Sequence, residues 1–198
     1  MQPLTIIFLG PQGCGKGTQI TLLKEYLAKQ DPGRAIVHFE MGKNLRELAT
    51  RKGYTGDKTG SILASGELIP YAVSCSVFVH YLIENIRGDE HLLIDGFPRT
   101  ADQLPALDSA FQFFVRELPT VVCINISDEE AVRRLSLRGR SDDTEEGIRK
   151  RLQWSREETM PNMKWFRNNP AYRVLEANGE QTIEDNHKEI LAKLGLVR

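Results

Sequence analysis

The apolar run Thr5-Ile6-Ile7-Phe8-Leu9 passes directly into Gly10-Pro11-Gln12-Gly13-Cys14-Gly15-Lys16-Gly17-Thr18, and helical periodicity follows at once. The run is continuous rather than alternating, as in a strand covered on both faces. Gly-x4-Gly-Lys directly after a strand and at the start of a helix is the spacing of a phosphate-binding loop. Glycines let the backbone curl so that successive N–H groups point at phosphate oxygens. The helix N-terminus adds partial positive charge, and Lys16 can reach the β and γ phosphates. A turn of purely structural purpose would not need a lysine there. The general pattern has Ser or Thr after the lysine, so with Gly17 in that place a loop hydroxyl is not expected to ligate magnesium.

The rest of the chain repeats the strand-helix rhythm. Strands are predicted over Ala35–Phe39, His91–Asp95, Thr120–Ile126 and Arg173–Ala177. Helices are predicted over Thr18–Lys29, Val73–Arg87, Asp128–Arg138, Thr144–Arg167 and Thr182–Leu196. Such alternation gives an α/β fold, a doubly wound parallel five-stranded sheet between helical layers. At 198 residues the chain makes one domain, residues 1–198. Two stretches interrupt the rhythm. Glycines 53, 56, 60 and 66 punctuate residues 41–70, either a small helical insertion with flexible joints or a loosely packed surface loop. Gly139-Arg140-Ser141-Asp142-Asp143 is a short charged link between two helices.

Composition narrows the function classes. With 26 basic against 27 acidic side chains, the chain is not a generic nucleic-acid binder. Cys14, Cys75 and Cys123 stand far apart, and His38, His80, His91 and His187 lack ligand spacing, so neither a disulfide framework nor a zinc site is expected. No apolar run approaches the ~20 residues that span a bilayer, and the start has no basic n-region or cleavage site. A soluble, cytoplasmic monomer is expected.

Gly15-Lys16-Gly17-Thr18, taken with Asp95-Gly96-Phe97-Pro98-Arg99-Thr100 and Gln103, resembles the nucleoside monophosphate kinases, most closely the adenylate kinases, over nearly the whole chain. The resemblance implies a P-loop kinase that transfers a phosphoryl group reversibly from ATP to AMP with Mg2+, giving two ADP. It makes 41–70 a monophosphate-binding insertion and 138–144 a short lid, carrying the paired acids Asp142 and Asp143 and no structural zinc. It assigns Gly13, Cys14, Gly15, Lys16, Gly17, Thr18, Arg134, Arg138 and Gln181 to ATP. It assigns Met41, Arg46, Glu67, Leu68, Ile69, Gly96, Phe97, Pro98, Arg99, Gln103, Arg140 and Arg151 to AMP, with Gln103 on the adenine. Lys16, Arg99, Arg140 and Arg151 would surround the transferred phosphoryl, and Asp95 would hold magnesium through water. The turn Asn178-Gly179-Glu180-Gln181 would touch the ATP adenine through its backbone. Where the family usually reads Thr-Gly-Asp, this chain reads Met41-Gly42-Lys43. A flexible thioether there implies looser selection for adenine than a threonine would give.

Elementary chemistry weighs on several of these positions. Asp95 ends an apolar strand, the edge where open α/β sheets present ligands, although a turn or cap role also fits. Arg99 fits either a phosphate role or a salt bridge at the core's edge. Arg149 and Lys150 each follow a glutamate by four residues, as surface pairs do, whereas Arg151 has Gly147 there. Arg134 has Glu130 four residues before it, so a plain helix pair competes with a ligand role. Cys14 needs only to be small, and Trp154 and Trp165 read as packing anchors. Two other functions fit less well: a kinase for CMP or UMP, and a nucleotide-dependent switch. A guanine-specific switch carries Asn-Lys-x-Asp late in the chain, where this one reads Asn125-Ile126-Ser127-Asp128.

Overall fold

The computed structural model describes residues 1–138 and 144–197, apart from the Arg138 side chain. Five strands, β1 (Thr5–Leu9), β2 (Ile36–Glu40), β3 (His91–Asp95), β4 (Thr120–Asn125) and β5 (Arg173–Asn178), form one parallel sheet in the order β2-β3-β1-β4-β5. The period-2 alternation of side chains sorts each apolar strand onto two cores. Ile7, Leu9, Leu92, Ile94, Val121 and Cys123 join one buried cluster. Ile6, Phe8, Leu93, Val122 and Ile124 join the other. Both faces are covered, which is why the strands read as continuous apolar runs.

Helix α1 (Lys16–Gln30) buries Ile20, Leu23 and Leu27 in the second core, where Ile190 and Leu191 of α9 (Ile183–Leu194) join them. The opposite core takes Phe78 and Leu82 from α4 (Tyr71–Asn85) and Phe166 from α8 (Asn162–Asn168). Phe78 stacks on Phe97 with ring centroids 4.2 Å apart. Between β2 and α4 the segment 41–70 holds α2 (Met41–Ala49) and α3 (Tyr54–Ala64), which pack on each other. A small third core joins Ala131 and Leu135 of α6 (Asp128–Arg138) to Ile148 and Leu152 of α7 (Glu145–Trp154). Among the described residues no helix is long and apolar enough to cross a membrane.

Two expectations change. Helix α5 (Leu104–Phe113) is absent from the predicted list, although Leu104, Leu107 and Phe111 supply its buried stripe. The single helix predicted over Thr144–Arg167 is broken. After α7 the winding widens into a π-helical turn over Ser155–Thr159, with Met160 N–H donating to the Ser155 carbonyl at 2.8 Å. Pro161 has no N–H to continue the ladder, so α8 begins afresh. Such wide turns often sit at functional sites, and this one borders the cleft described next.

Candidate active site

The carboxyl ends of the central strands open onto a cleft of about 1030 Å3, at the upper end of the usual range for small-molecule sites. At Gly10 the chain leaves β1 with φ +137°, and an added Cβ would stand 2.3 Å from the Ile124 carbonyl oxygen. Only glycine fits there. The loop then curls back, Cys14 N–H donating to the Pro11 carbonyl at 3.3 Å, and Gly15 at φ 95° starts α1. The first N–H groups of α1 have no partner within the helix, which makes this end an anion site. Lys16 Nζ donates to the Gly10 and Pro11 carbonyls at 2.8 and 2.9 Å and lies 3.5 Å from Cys14 Sγ. Cys14 itself is fully buried in the core beneath the loop.

Across the cleft stand the cations expected for a second phosphate. Arg99 follows β3 and is fixed on every side. Its Nε donates to the Gly96 carbonyl at 3.0 Å, and its backbone N–H donates to Gln103 Oε1 at 2.6 Å. Its carbonyl accepts from Thr159 Oγ1 at 2.9 Å, and its guanidinium lies over the Trp154 ring. Burial pulls the Arg99 pKa down; Asp95 opposes that shift, while Arg46 and Arg151 add to it. All three guanidiniums line the same cleft as the Asp95 and Glu40 carboxylates. Asp95 is driven the other way. Burial raises its pKa, Lys16 and Arg99 lower it, and Glu40 raises it further. Such a carboxylate gains from any added cation.

Arg134 makes the helix pair that its spacing predicts and a second, long-range bond. Its Nε donates to Glu130 Oε1 at 2.6 Å while Nη2 reaches across to the Gly179 carbonyl at 2.9 Å. Hydrogen bonds from Arg133 and Arg134 hold the Glu130 carboxyl down at about 2. The turn beyond Gly179 is tied to α9, Gln181 Nε2 donating to Glu189 Oε2 at 2.6 Å. Arg149 and Lys150 form the surface pairs with Glu145 and Glu146 that their spacing predicts.

Most of the expected residues line this one cleft: Gly13, Cys14, Gly15, Lys16, Gly17, Thr18, Arg134 and Gln181 of the ATP set, Arg46, Glu67, Gly96, Pro98, Arg99 and Arg151 of the AMP set, and Asp95. Met41 (1% exposed), Ile69 and Phe97 sit behind that lining, in the core. Leu68 is half-buried nearby, and the buried Gln103 uses its Oε1 to hold the Arg99 backbone. Arg151, which has no glutamate four residues before it, is 5% exposed and nevertheless engaged within the protein. Arg140, Asp142, Asp143 and the Arg138 side chain lie outside the described residues.

Among the lining residues that escape the sequence reading as site residues are His38, Glu40, Trp154 and Thr159. Glu40 ends β2 as Asp95 ends β3, so the strand-end rule could have found it. Trp154 does anchor packing, its Nε1 donating to the Gly66 carbonyl at 3.1 Å, yet it also carries Arg99. Trp165 packs against Phe166 and Tyr172 alone among the rings. Among the described residues no group of three or more His, Cys, Asp or Glu could hold a metal.

A phosphate loop facing an arginine cluster suits two phosphate-bearing ligands, and comparison with known proteins agrees. Residues 8–171 match the adenylate kinase family profile. The chain is 35% identical to adenylate kinase 1 of a Nostoc species over 190 residues, 96% of this chain and 98% of that protein. It is 33% identical to the adenylate kinase of Thermus thermophilus over 197 residues, covering 96% and 97%. It is 31% identical to that of Corynebacterium urealyticum over 191 residues, covering 96% and 99%. With this fold, this cleft and similarity along nearly its whole length, the chain belongs to the adenylate kinase family and is a nucleoside monophosphate kinase.

Proposed function

We propose that the chain transfers the γ-phosphoryl of ATP to AMP, reversibly, giving two ADP, with magnesium. The observation that carries this reading is the meeting of Lys16, Arg46, Arg99 and Arg151 on one cleft around Asp95. Phosphoryl transfer asks the protein for positioning and charge neutralisation rather than for a nucleophile. The loop N–H groups and Lys16 would hold the ATP phosphates, with Arg134 and Arg138 on the same side. Arg46 would grip the AMP phosphate, and Arg99, Arg140 and Arg151 would neutralise charge on the group in transit. Gln103 would offer its amide N–H to the adenine, since its oxygen already accepts from Arg99.

The residues present fit a magnesium ion that arrives with ATP. Asp95 supplies a hard oxygen ligand whose charge burial disfavours, and Gly17 removes the usual loop hydroxyl. Asp95 would therefore hold the ion through water, with phosphate oxygens filling the rest of its sphere. Bound there, magnesium supplies charge neutralisation on the phosphate oxygens.

The test is ADP formation from ATP with AMP, CMP, UMP and GMP in turn, with and without magnesium. AMP as the best acceptor and a requirement for magnesium are expected. Preference for a pyrimidine monophosphate would overturn the acceptor assigned here.

A further inference from the structure

One charged side chain of the cleft has no part in the reading above. Glu40 ends β2 in register with Asp95 of β3 and lines the cleft. Its Oε1 accepts from Arg46 Nη2 at 3.1 Å. Arg46 reaches that partner by folding back along its own helix, the direction in which helical side chains lean. The guanidinium passes over Gly42, where an added Cβ would lie 3.1 Å from Nη1. Asn44 Nδ2 donates to the Glu40 carbonyl at 2.9 Å and so fixes the corner between β2 and α2.

The fold does not need this ion pair for its stability. Its side chains are 31% and 45% exposed, and pairs so open to water contribute little. In a cleft that gathers cations for phosphate, however, a carboxylate on Arg46 has the chemistry of the ligand itself. It offers an anionic oxygen to the same guanidinium N–H groups. It would also repel a phosphate arriving beside it.

We propose that Glu40 is an internal surrogate for the acceptor's phosphate: it occupies Arg46 until the monophosphate displaces it, and so weakens acceptor binding. The inference rests on Arg46 being the acceptor-phosphate arginine, as proposed above. Glu40 is thus a residue that sets affinity for the acceptor more than for ATP.

The experiment is calorimetric titration of AMP into the full chain, native and Glu40→Gln, with steady-state KM for AMP and ATP beside it. Expected is a fall of roughly two- to fivefold in Kd and KM for AMP, the scale of an exposed charge pair, with a smaller change in KM for ATP. The gain should vanish in an Arg46→Ala background. Glu40→Ala serves as a second variant and should behave alike. Equal or weaker AMP binding in both Glu40 variants overturns the inference, and so does a gain that survives loss of Arg46. Those outcomes leave the acceptor assignment standing. A native protein that does not bind AMP sinks that assignment and the inference together.

Discussion

The guanidinium carbon of Arg99 lies 5.1 Å from the centroid of the Trp154 ring. Cation and ring come from two different elements, the loop after β3 and the end of α7. Trp154 is itself held by the Gly66 carbonyl, so one indole joins the segment 41–70, α7 and Arg99. A cation seated on an aromatic face and partly stripped of water is held by about 0.5–2 kcal/mol.

Trp154→Leu should therefore loosen Arg99 rather than unfold the protein. Catalytic efficiency towards AMP is expected to fall roughly 2- to 30-fold, the rate equivalent of that interaction. Trp154→Phe keeps a ring but loses the bond to Gly66, and should fall between the two. Kinetics at saturating ATP measure this; identical kcat/KM in all three proteins would refute a role for the ring.

Lys16→Met should lower kcat by about 10²–10³ while leaving the circular dichroism spectrum unchanged. The amine's described hydrogen-bond partners all lie within the loop, which keeps its shape through Gly10, the Cys14-to-Pro11 hydrogen bond and the buried Cys14. Near-normal turnover by a folded variant would remove Lys16 from the chemistry.

From the sequence, Met41→Thr is expected to sharpen selection for adenine. With Met41 1% exposed, in the core that includes Phe39, Leu45 and Phe97, the expected effect moves to stability. Losing the thioether's burial and placing a hydroxyl there should cost about 1–3 kcal/mol. Chemical denaturation reads this directly. Relative kcat/KM values for AMP, CMP, UMP and GMP should stay within about twofold of native, below the effect of a typical net hydrogen bond. A larger change in those ratios, with stability intact, would return the side chain to the pocket.

His91 makes stability depend on pH in a definite direction. Burial, reinforced by Arg34, pulls its pKa below the ordinary value, against the pull of Asp31. Its Nδ1 accepts the Leu4 N–H at 3.0 Å, which the protonated ring could not do. The unfolded chain thus binds the proton more readily than the folded one. The contribution is present above the unfolded value of 6.5 and is lost as pH falls through the lower folded value. Carboxylates with depressed values, such as Glu130, act only at lower pH. Asp95 has a raised value and the opposite sign, so the useful measurement is a difference. Native protein should lose more Tm than His91→Asn between pH 7.5 and pH 5.5, because an amide oxygen accepts the Leu4 N–H at either pH. Equal losses would show that His91 does not titrate in this range.

Much of the candidate site is local in the chain, and what is local was legible. The phosphate loop is one contiguous segment whose glycines, lysine and flanking elements impose their own geometry, so Gly10 to Thr18 could be read without a fold. Glu145 with Arg149 and Glu146 with Lys150 are helix neighbours for the same reason. The parallel sheet followed from apolar runs too continuous for a one-sided strand. Spacing could not say what faces a side chain from a distant element. Arg99 meets Trp154 from 55 positions away in sequence, and Trp154 meets Gly66 across 88. Whether Met41 lines the pocket or backs it depends on how α2 settles against Gly96 and Phe97, and Glu40 gains its meaning only where β2 lies beside β3. A residue type and its near neighbours fix what a side chain can do, whereas packing of distant elements fixes what stands within 4 Å of it. Charge pairing and desolvation act at that range, and so the tertiary structure alone decided them.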